Sequence, residues 1–294
     1  MIQAVLPFPN ISPELFSISV FGVELALRWY ALAYIVGIVL GWVIARRALA
    51  NVNLWQNAIP PMVKSQLEDL ITWIILGVII GGRLGFVLFY QPGYYLAHPG
   101  EIPMIWQGGM AFHGGFLGVV VATWIFCIRQ KVAVLPTADL LALATPVGIM
   151  LGRTANFINA ELWGRPSDAP WAVIFPNPGA LCDGAVCARH PSQLYEATLE
   201  GLLLGLILLF LAFKRGALRK PGLIAGLFFA GYGIARFIVE FFRLADAQFI
   251  TPDNPYGHIL RFSDTFGITM GQLLSLPMIA IGIAVILIGR RKWP

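Results

Sequence analysis

The sequence predicts an all-α, polytopic integral membrane protein of seven transmembrane helices, with its N-terminus outside and its C-terminus in the cytoplasm. Three observations carry this. Of 294 residues, 58% are hydrophobic and 12% charged, with a mean hydropathy of +0.76, whereas soluble domains carry about 25% charged residues. The apolar residues fall into runs near the roughly 20 residues a helix needs to cross a bilayer. The basic residues between those runs lie mostly on one side, as they do on the cytoplasmic face of membrane proteins.

The first run, 25–44, opens beside Arg28, Trp29 and Tyr30, the anchor and aromatic belt of a membrane interface. The second, 70–89, contains Arg83 between glycines in Gly81-Gly82-Arg83-Leu84-Gly85, where a phosphate or another helix can approach the backbone. The third, 109–128, carries His113. The fourth, 138–157, is interrupted by Pro146, a kink that neighbouring helices can satisfy. The fifth, 194–213, is leucine-rich; the sixth, 223–242, holds Tyr232, Arg236 and Glu240; the seventh, 268–289, is almost wholly apolar. Glycines recur four apart in each run or at its edge: Gly37/Gly41, Gly81/Gly85, Gly114/Gly118, Gly148/Gly152, Gly201/Gly205, Gly222/Gly226 and Gly267/Gly271. That spacing favours close helix packing.

Arg46, Arg47, Lys64, Arg129, Lys131, Lys214, Arg215, Arg219, Lys220, Arg290, Arg291 and Lys292 fall on one side of the runs, against Arg165, Arg189 and Arg261 on the other. This asymmetry sets the orientation. It also explains the net charge of +5 without nucleic acid, which is not an expected partner. No basic residue precedes Arg28, so no cleavable signal is predicted. With no internal repeat and no long polar stretch, residues 1–294 read as a single membrane-embedded domain. Cys182 and Cys187 share a loop and can bridge if it faces an oxidising compartment.

With that orientation, Arg28, Arg83, Arg153, Arg236 and Arg243 all fall in the outer half or outer edge of the bilayer, as do His113, Asn156, Asn159, Glu161, Tyr195, Glu196 and Glu240. A charge in hydrocarbon costs at least a few kcal/mol and needs a partner, a wet cavity or a ligand, so one polar cavity facing the outer leaflet is predicted. Two readings stay open. Tyr232, Arg236, Glu240 and Arg243 follow helical spacing, so Glu240 can neutralise its neighbours, and Arg243 can snorkel. Arg153 has no partner in its own helix, shares a face with Asn156, and reads as functional. His113 is the only histidine within a run and the side chain suited to move a proton near neutral pH. No metal spacing, nucleotide phosphate loop or nucleophile elbow is found, so neither metal nor cofactor is expected.

Several strings then become recognisable: 109–115 (Gly-Met-Ala-Phe-His-Gly-Gly), 152–165 (Gly-Arg-Thr-Ala-Asn-Phe-Ile-Asn-Ala-Glu-Leu-Trp-Gly-Arg), 189–196 (Arg-His-Pro-Ser-Gln-Leu-Tyr-Glu), 231–236 (Gly-Tyr-Gly-Ile-Ala-Arg) and 240–243 (Glu-Phe-Phe-Arg). Together they resemble the bacterial prolipoprotein diacylglyceryl transferase family over nearly the whole chain. That family commonly has glycine where this sequence has Ala155 and Ala160. The resemblance implies an enzyme of the bacterial inner membrane, its active site toward the outer leaflet, that moves the diacylglyceryl group of phosphatidylglycerol onto the lipobox cysteine of a prolipoprotein signal peptide. A thioether forms and glycerol 1-phosphate leaves. On this reading the partners are phosphatidylglycerol, prolipoproteins and membrane lipids. His113 is the candidate base, Arg153 and Arg236 stabilise the departing phosphate, and Tyr30 and Tyr232 are hydroxyl donors. Arg83, Asn156, Asn159, Glu161, Glu240 and Arg243 join Arg153 and Tyr232 as candidate substrate contacts. The competing class is an anion or lipid transporter with an arginine-lined cavity; the missing repeat symmetry and the one-sided polar cluster weigh against it.

Overall fold

The computed structural model of the chain describes residues 5–20, 23–182, 184–263, 266–291 and 293; Lys292 lies outside the described residues. A short strand β1 (Leu6–Pro7) and an antiparallel hairpin, β2 (Glu14–Val20) with β3 (Val23–Arg28), precede helix α1 (Trp29–Ala50). The expected first span therefore starts four residues late. Leu25 pairs with Ile18 and Arg28 with Glu14 across the hairpin, because Phe16, Ile18 and Val20 alternate with Ser17 and Ser19, the period-two pattern of a strand.

The remaining long helices are α2 (Lys64–Phe89), α4 (Phe112–Gln130), α5 (Val134–Ile158), α8 (Leu223–Val239) and α9 (Met270–Arg290), with the short α3 (Pro92–Ala97) between α2 and α4. A further rod starts as α6 (Ser192–Glu196), passes through a π-helical segment at Ala197–Leu203 and continues as α7 (Leu204–Arg215). Strands β4 (Val173–Ile174), β5 (His258–Arg261) and β6 (Gly267–Thr269) lie outside the helices. Helices thus dominate, and the all-α expectation is amended by three two-stranded sheets.

Among the described residues, six helical stretches are long and apolar enough to cross a membrane: Trp29–Ala50, Lys64–Phe89, Phe112–Gln130, Val134–Ile158, Ser192–Arg215 and Met270–Arg290. The sixth expected span, α8, is apolar but has 17 residues. Some expected ends also move. The third helix starts at Phe112, after Gly108 and Gly109 with φ of 84° and 77°, a left-handed backbone open to glycine. The sixth stops at Val239, leaving Glu240 to Phe242 in a turn, and the seventh starts after β6. Pro146 lies inside α5 without ending it, and it packs against Gly205 of the facing helix, where a Cβ would stand 3.1 Å from the proline Cβ.

Helices α2 and α4, α8 and α9, and α1 and α5 form the tightest pairs. Their seams are glycine-lined. A Cβ on Gly85 would stand 2.8 Å from Gly114 Cα, one on Gly37 3.2 Å from Gly148 Cα, and one on Gly282 2.5 Å from Ala230 N. Backbone approach of this kind substitutes for the hydrophobic drive that lipid does not supply.

The apolar core occupies one end of the bundle. Ala48, Leu49, Leu70, Phe126, Leu140, Leu143, Leu208, Leu218 and Ile224 pack there, where α1, α4 and α7 finish and α2, α5 and α8 begin. Arg47, Arg129, Lys214, Arg215 and Arg290 occupy last helical turns, where the helix dipole favours cations. One end of the bundle is sealed by apolar packing. Most charged side chains buried in the bundle, with Asp139 as an exception, are left at the other.

Candidate active site

Glu196 is the centre of that polar end. It sits at the last position of α6, 1% exposed, and receives guanidinium groups from three sides. Arg153, near the end of α5, places Nε 3.0 Å from Glu196 Oε2. Arg236, near the end of α8, donates from Nη1 to Glu196 Oε1 at 2.5 Å, and Arg243, just after α8, donates to the same oxygen at 3.0 Å. Arg236 also sets Nη2 2.8 Å from Glu240 Oε2, in the i, i+4 pair anticipated from spacing. The partner that Arg153 lacks in its own helix thus comes from α6. Glu196 thus faces all three guanidinium groups, and Glu240 faces Arg236 as well. The arginine side chains retain 24%, 16% and 14% exposure for Arg153, Arg236 and Arg243, so each keeps some open surface.

The local sequence explains why Glu196 is held. Ser192 Oγ donates to the Leu162 carbonyl at 3.1 Å and Gln193 Nε2 to the Glu161 carbonyl at 2.5 Å. Both residues are fully buried, tying the start of α6 to the turn after α5. In that turn Asn156 donates from Nδ2 to Glu161 Oε1 at 2.6 Å, so the carboxylate and amide brace each other beside Arg153. Ala160 and Leu162 hold φ of 51° and 58°, a region that disfavours side chains.

The structure separates other candidates from this cluster. Tyr232 lies one turn before Arg236 and within electrostatic reach of Arg153 and Glu196. Tyr30 is half-exposed and shares a 3.2 Å contact between hydroxyls with Tyr34; Tyr34 is the member of that pair within reach of the charges on Arg153 and Glu161. Asn159 instead lines a pocket of about 280 Å³ with Phe8, Ile158 and Pro176. His113 is exposed on the first turn of α4, its ring against Phe112. Arg83 is 4% exposed and donates to the carbonyls of Glu101, Ile102, Gly108 and Gly109. Of the two approaches its flanking glycines suggested, a helix takes one: Gly81 and Gly85 face Gly114, while the guanidinium clamps the loop ahead of α4.

Two buried carboxylates escaped sequence reasoning. Glu200, 0% exposed, lies in the π-helical segment one turn below Glu196 and feels Arg153, Arg236 and Arg243. Asp139, also 0% exposed, accepts from the backbone N–H groups of Gly222 at 2.6 Å and Ala225 at 2.8 Å, capping α8 from another helix. Their i, i+4 neighbours held no signal of either role. An outer cap covers the cluster: Arg165 donates to the Arg243 carbonyl at 2.9 Å and stacks over Tyr256, which stacks on His258. Burial pushes the His190 imidazole down from its ordinary value; burial first, then the charges of Arg165 and Arg261, does the same to His258. Cys182 and Cys187 form a disulfide within the segment between α5 and α6.

Fold and site together define a polytopic membrane protein with a buried cluster of arginines and carboxylates at one end of its helical bundle. Residues 15–288 match the model of the prolipoprotein diacylglyceryl transferase family, and the chain belongs to that family. It is similar to proteins named phosphatidylglycerol–prolipoprotein diacylglyceryl transferase from Ruegeria pomeroyi, 64% identical over 98% of each chain, and Roseobacter denitrificans, 61% identical over 97% of each. A protein of the same name from Rhodospirillum rubrum is 49% identical over 98% of this chain and 96% of its own.

Proposed function

We propose that this chain transfers the diacylglyceryl group of phosphatidylglycerol to the lipobox cysteine of prolipoproteins, the first step of bacterial lipoprotein maturation. One observation carries the proposal: three arginines converge on buried Glu196 in a chain that matches, end to end, relatives named for this activity. A transporter is not favoured by those names. The chain acts as a single domain of seven helices in the bacterial inner membrane. The N-terminus and the cluster face outward, a reading supported by the one-sided basic residues and the positive-inside rule.

The donor is a phosphodiester with one negative charge, which the partly open guanidinium groups of Arg153, Arg236 and Arg243 can hold by charge-assisted hydrogen bonds. The acceptor thiol, with an ordinary pKa of about 8.5, yields its proton to His113, whose exposed position on α4 suits an acceptor arriving along the bilayer. Sulfur attacks the glyceryl carbon, and the carbon–oxygen bond breaks with its electron pair passing to the phosphate oxygen. Thioether and glycerol 1-phosphate result. Arg153 and Arg236 stabilise the charge that grows on the leaving oxygen. Asn156, Glu161 and Glu240 keep the arginines oriented, and Tyr30 and Tyr232 supply hydroxyl donors; Arg83, committed to loop carbonyls, and Asn159, in a separate pocket, are not assigned to the head group.

The test is mass spectrometry of a lipobox peptide incubated with purified protein and phosphatidylglycerol, with Arg153→Ala and His113→Gln beside the intact chain. A cysteine-linked diacylglyceryl mass is expected with the intact chain, absent with Arg153→Ala and reduced with His113→Gln. No adduct from folded, intact protein would overturn the proposal.

A further inference from the structure

Glu240 is held by more than Arg236. It is 4% exposed, at the turn where α8 ends, and its carboxylate lies against the first turn of α9. A Cβ on Gly271 would stand 2.5 Å from both Glu240 oxygens, so only glycine at that position admits the carboxylate. Helix N-termini carry partial positive charge and unsatisfied N–H groups, which favours an anion there. Thr269, 2% exposed, is the N-cap of α9. Its Oγ1 accepts from Gln272 N at 3.3 Å and its backbone N–H donates to Gln272 Oε1 at 3.1 Å. That capping box fixes the hydroxyl, whose single proton goes to Glu240 Oε1 at 3.1 Å. The other Glu240 oxygen faces Arg236.

We propose that Thr269 and Gly271 are positioning residues for Arg236, acting through Glu240. Arg236 is a fork between two carboxylates, Glu196 on one nitrogen and Glu240 on the other, and a guanidinium so held presents its open surface in one orientation. The Glu196 side is set by α6. The Glu240 side is set by α9, through one hydroxyl and one missing side chain. Strand β6 ends in Thr269 and pairs with β5, with His258 opposite Thr269, so the cap is also tied to the outer hairpin.

The inference rests on the transferase reading, and its test separates the two. Diacylglyceryl transfer is measured with intact protein, Thr269→Val, Thr269→Ser, Gly271→Ala and Glu240→Gln, each checked for folding by its thermal midpoint in detergent. Thr269→Val keeps the shape and removes the hydroxyl; Gly271→Ala keeps the cap and intrudes on the carboxylate. Both are expected to lower kcat by about tenfold to a hundredfold, the scale of a small misplacement of a catalytic group, with a smaller change in KM, because Arg236 acts on charge that grows during reaction. Thr269→Ser restores the rate. In a Glu240→Gln background, Thr269→Val costs no further kcat, since it acts through the carboxylate already altered. Gly271→Ala keeps the test decisive if Thr269→Val fails to fold. Wild-type kcat in folded Thr269→Val or Gly271→Ala, or independent losses in the double variant, would overturn the positioning role. Absence of transfer by the intact protein would instead overturn the transferase reading.

Discussion

Arg153 and Glu196 show how a single residue's meaning changes between one dimension and three. In the sequence Arg153 is an intramembrane cation without a partner; in the fold it is one of three guanidinium groups around a carboxylate 1% exposed. Removing one member of a buried charge network leaves the others uncompensated, at about 3–5 kcal/mol. Glu196→Ala should therefore lower the thermal midpoint of the detergent-solubilised protein strongly and abolish transfer. An unchanged midpoint would mean that the arginines find other partners. Arg83 was legible as unusual from its glycines, but its four carbonyl acceptors come from a loop 18 to 26 residues away, a distance that no local pattern encodes.

Element by element, the long helices were legible because apolar runs of bilayer length have few alternatives, while their ends were not. Helix α1 yields four residues to a hairpin and α9 yields two to β6 and its cap, decisions made by strand pairing and by one hydroxyl. Asp139 illustrates a cap supplied from outside the helix it serves. Substituting Asp139→Ala strands the N–H groups of Gly222 and Ala225, each buried orphan costing about 1–3 kcal/mol. Hydrogen exchange at the start of α8 should accelerate, with Asp139→Asn milder because its amide oxygen still accepts. On β5, burial and two neighbouring arginines hold the His258 imidazole below its ordinary value. The unfolded chain takes that proton near pH 6.5 and the folded chain only at lower pH. Stability is thus full above that value and falls as pH drops from it toward the lowered folded value. Thermal midpoints at pH 7.5 and 5.5 should diverge in the intact protein and diverge less in His258→Gln, the remainder including the likewise lowered His190; equal divergence in both would remove His258 from the account.

For the molecule as a whole, the segregation of apolar core to one end and charge to the other creates the site. The proposed orientation puts the Cys182–Cys187 disulfide outside, where disulfides persist. On intact cells with the outer membrane removed, a membrane-impermeant maleimide should label these cysteines only after an impermeant reductant; labelling that requires permeabilised membranes would reverse the orientation. By itself the sequence determined the membrane class, the approximate helices and the chemistry of the polar end, because hydropathy and charge act through local composition against a uniform solvent. Beyond the i, i+4 pair of Arg236 and Glu240, only the tertiary structure decided which charges meet. Glu196, Glu240, Thr269 and Asp139 gain their partners across 29 to 86 residues of chain, and such contacts depend on how helices pack, a three-dimensional outcome of glycine seams and caps rather than of any one run of residues.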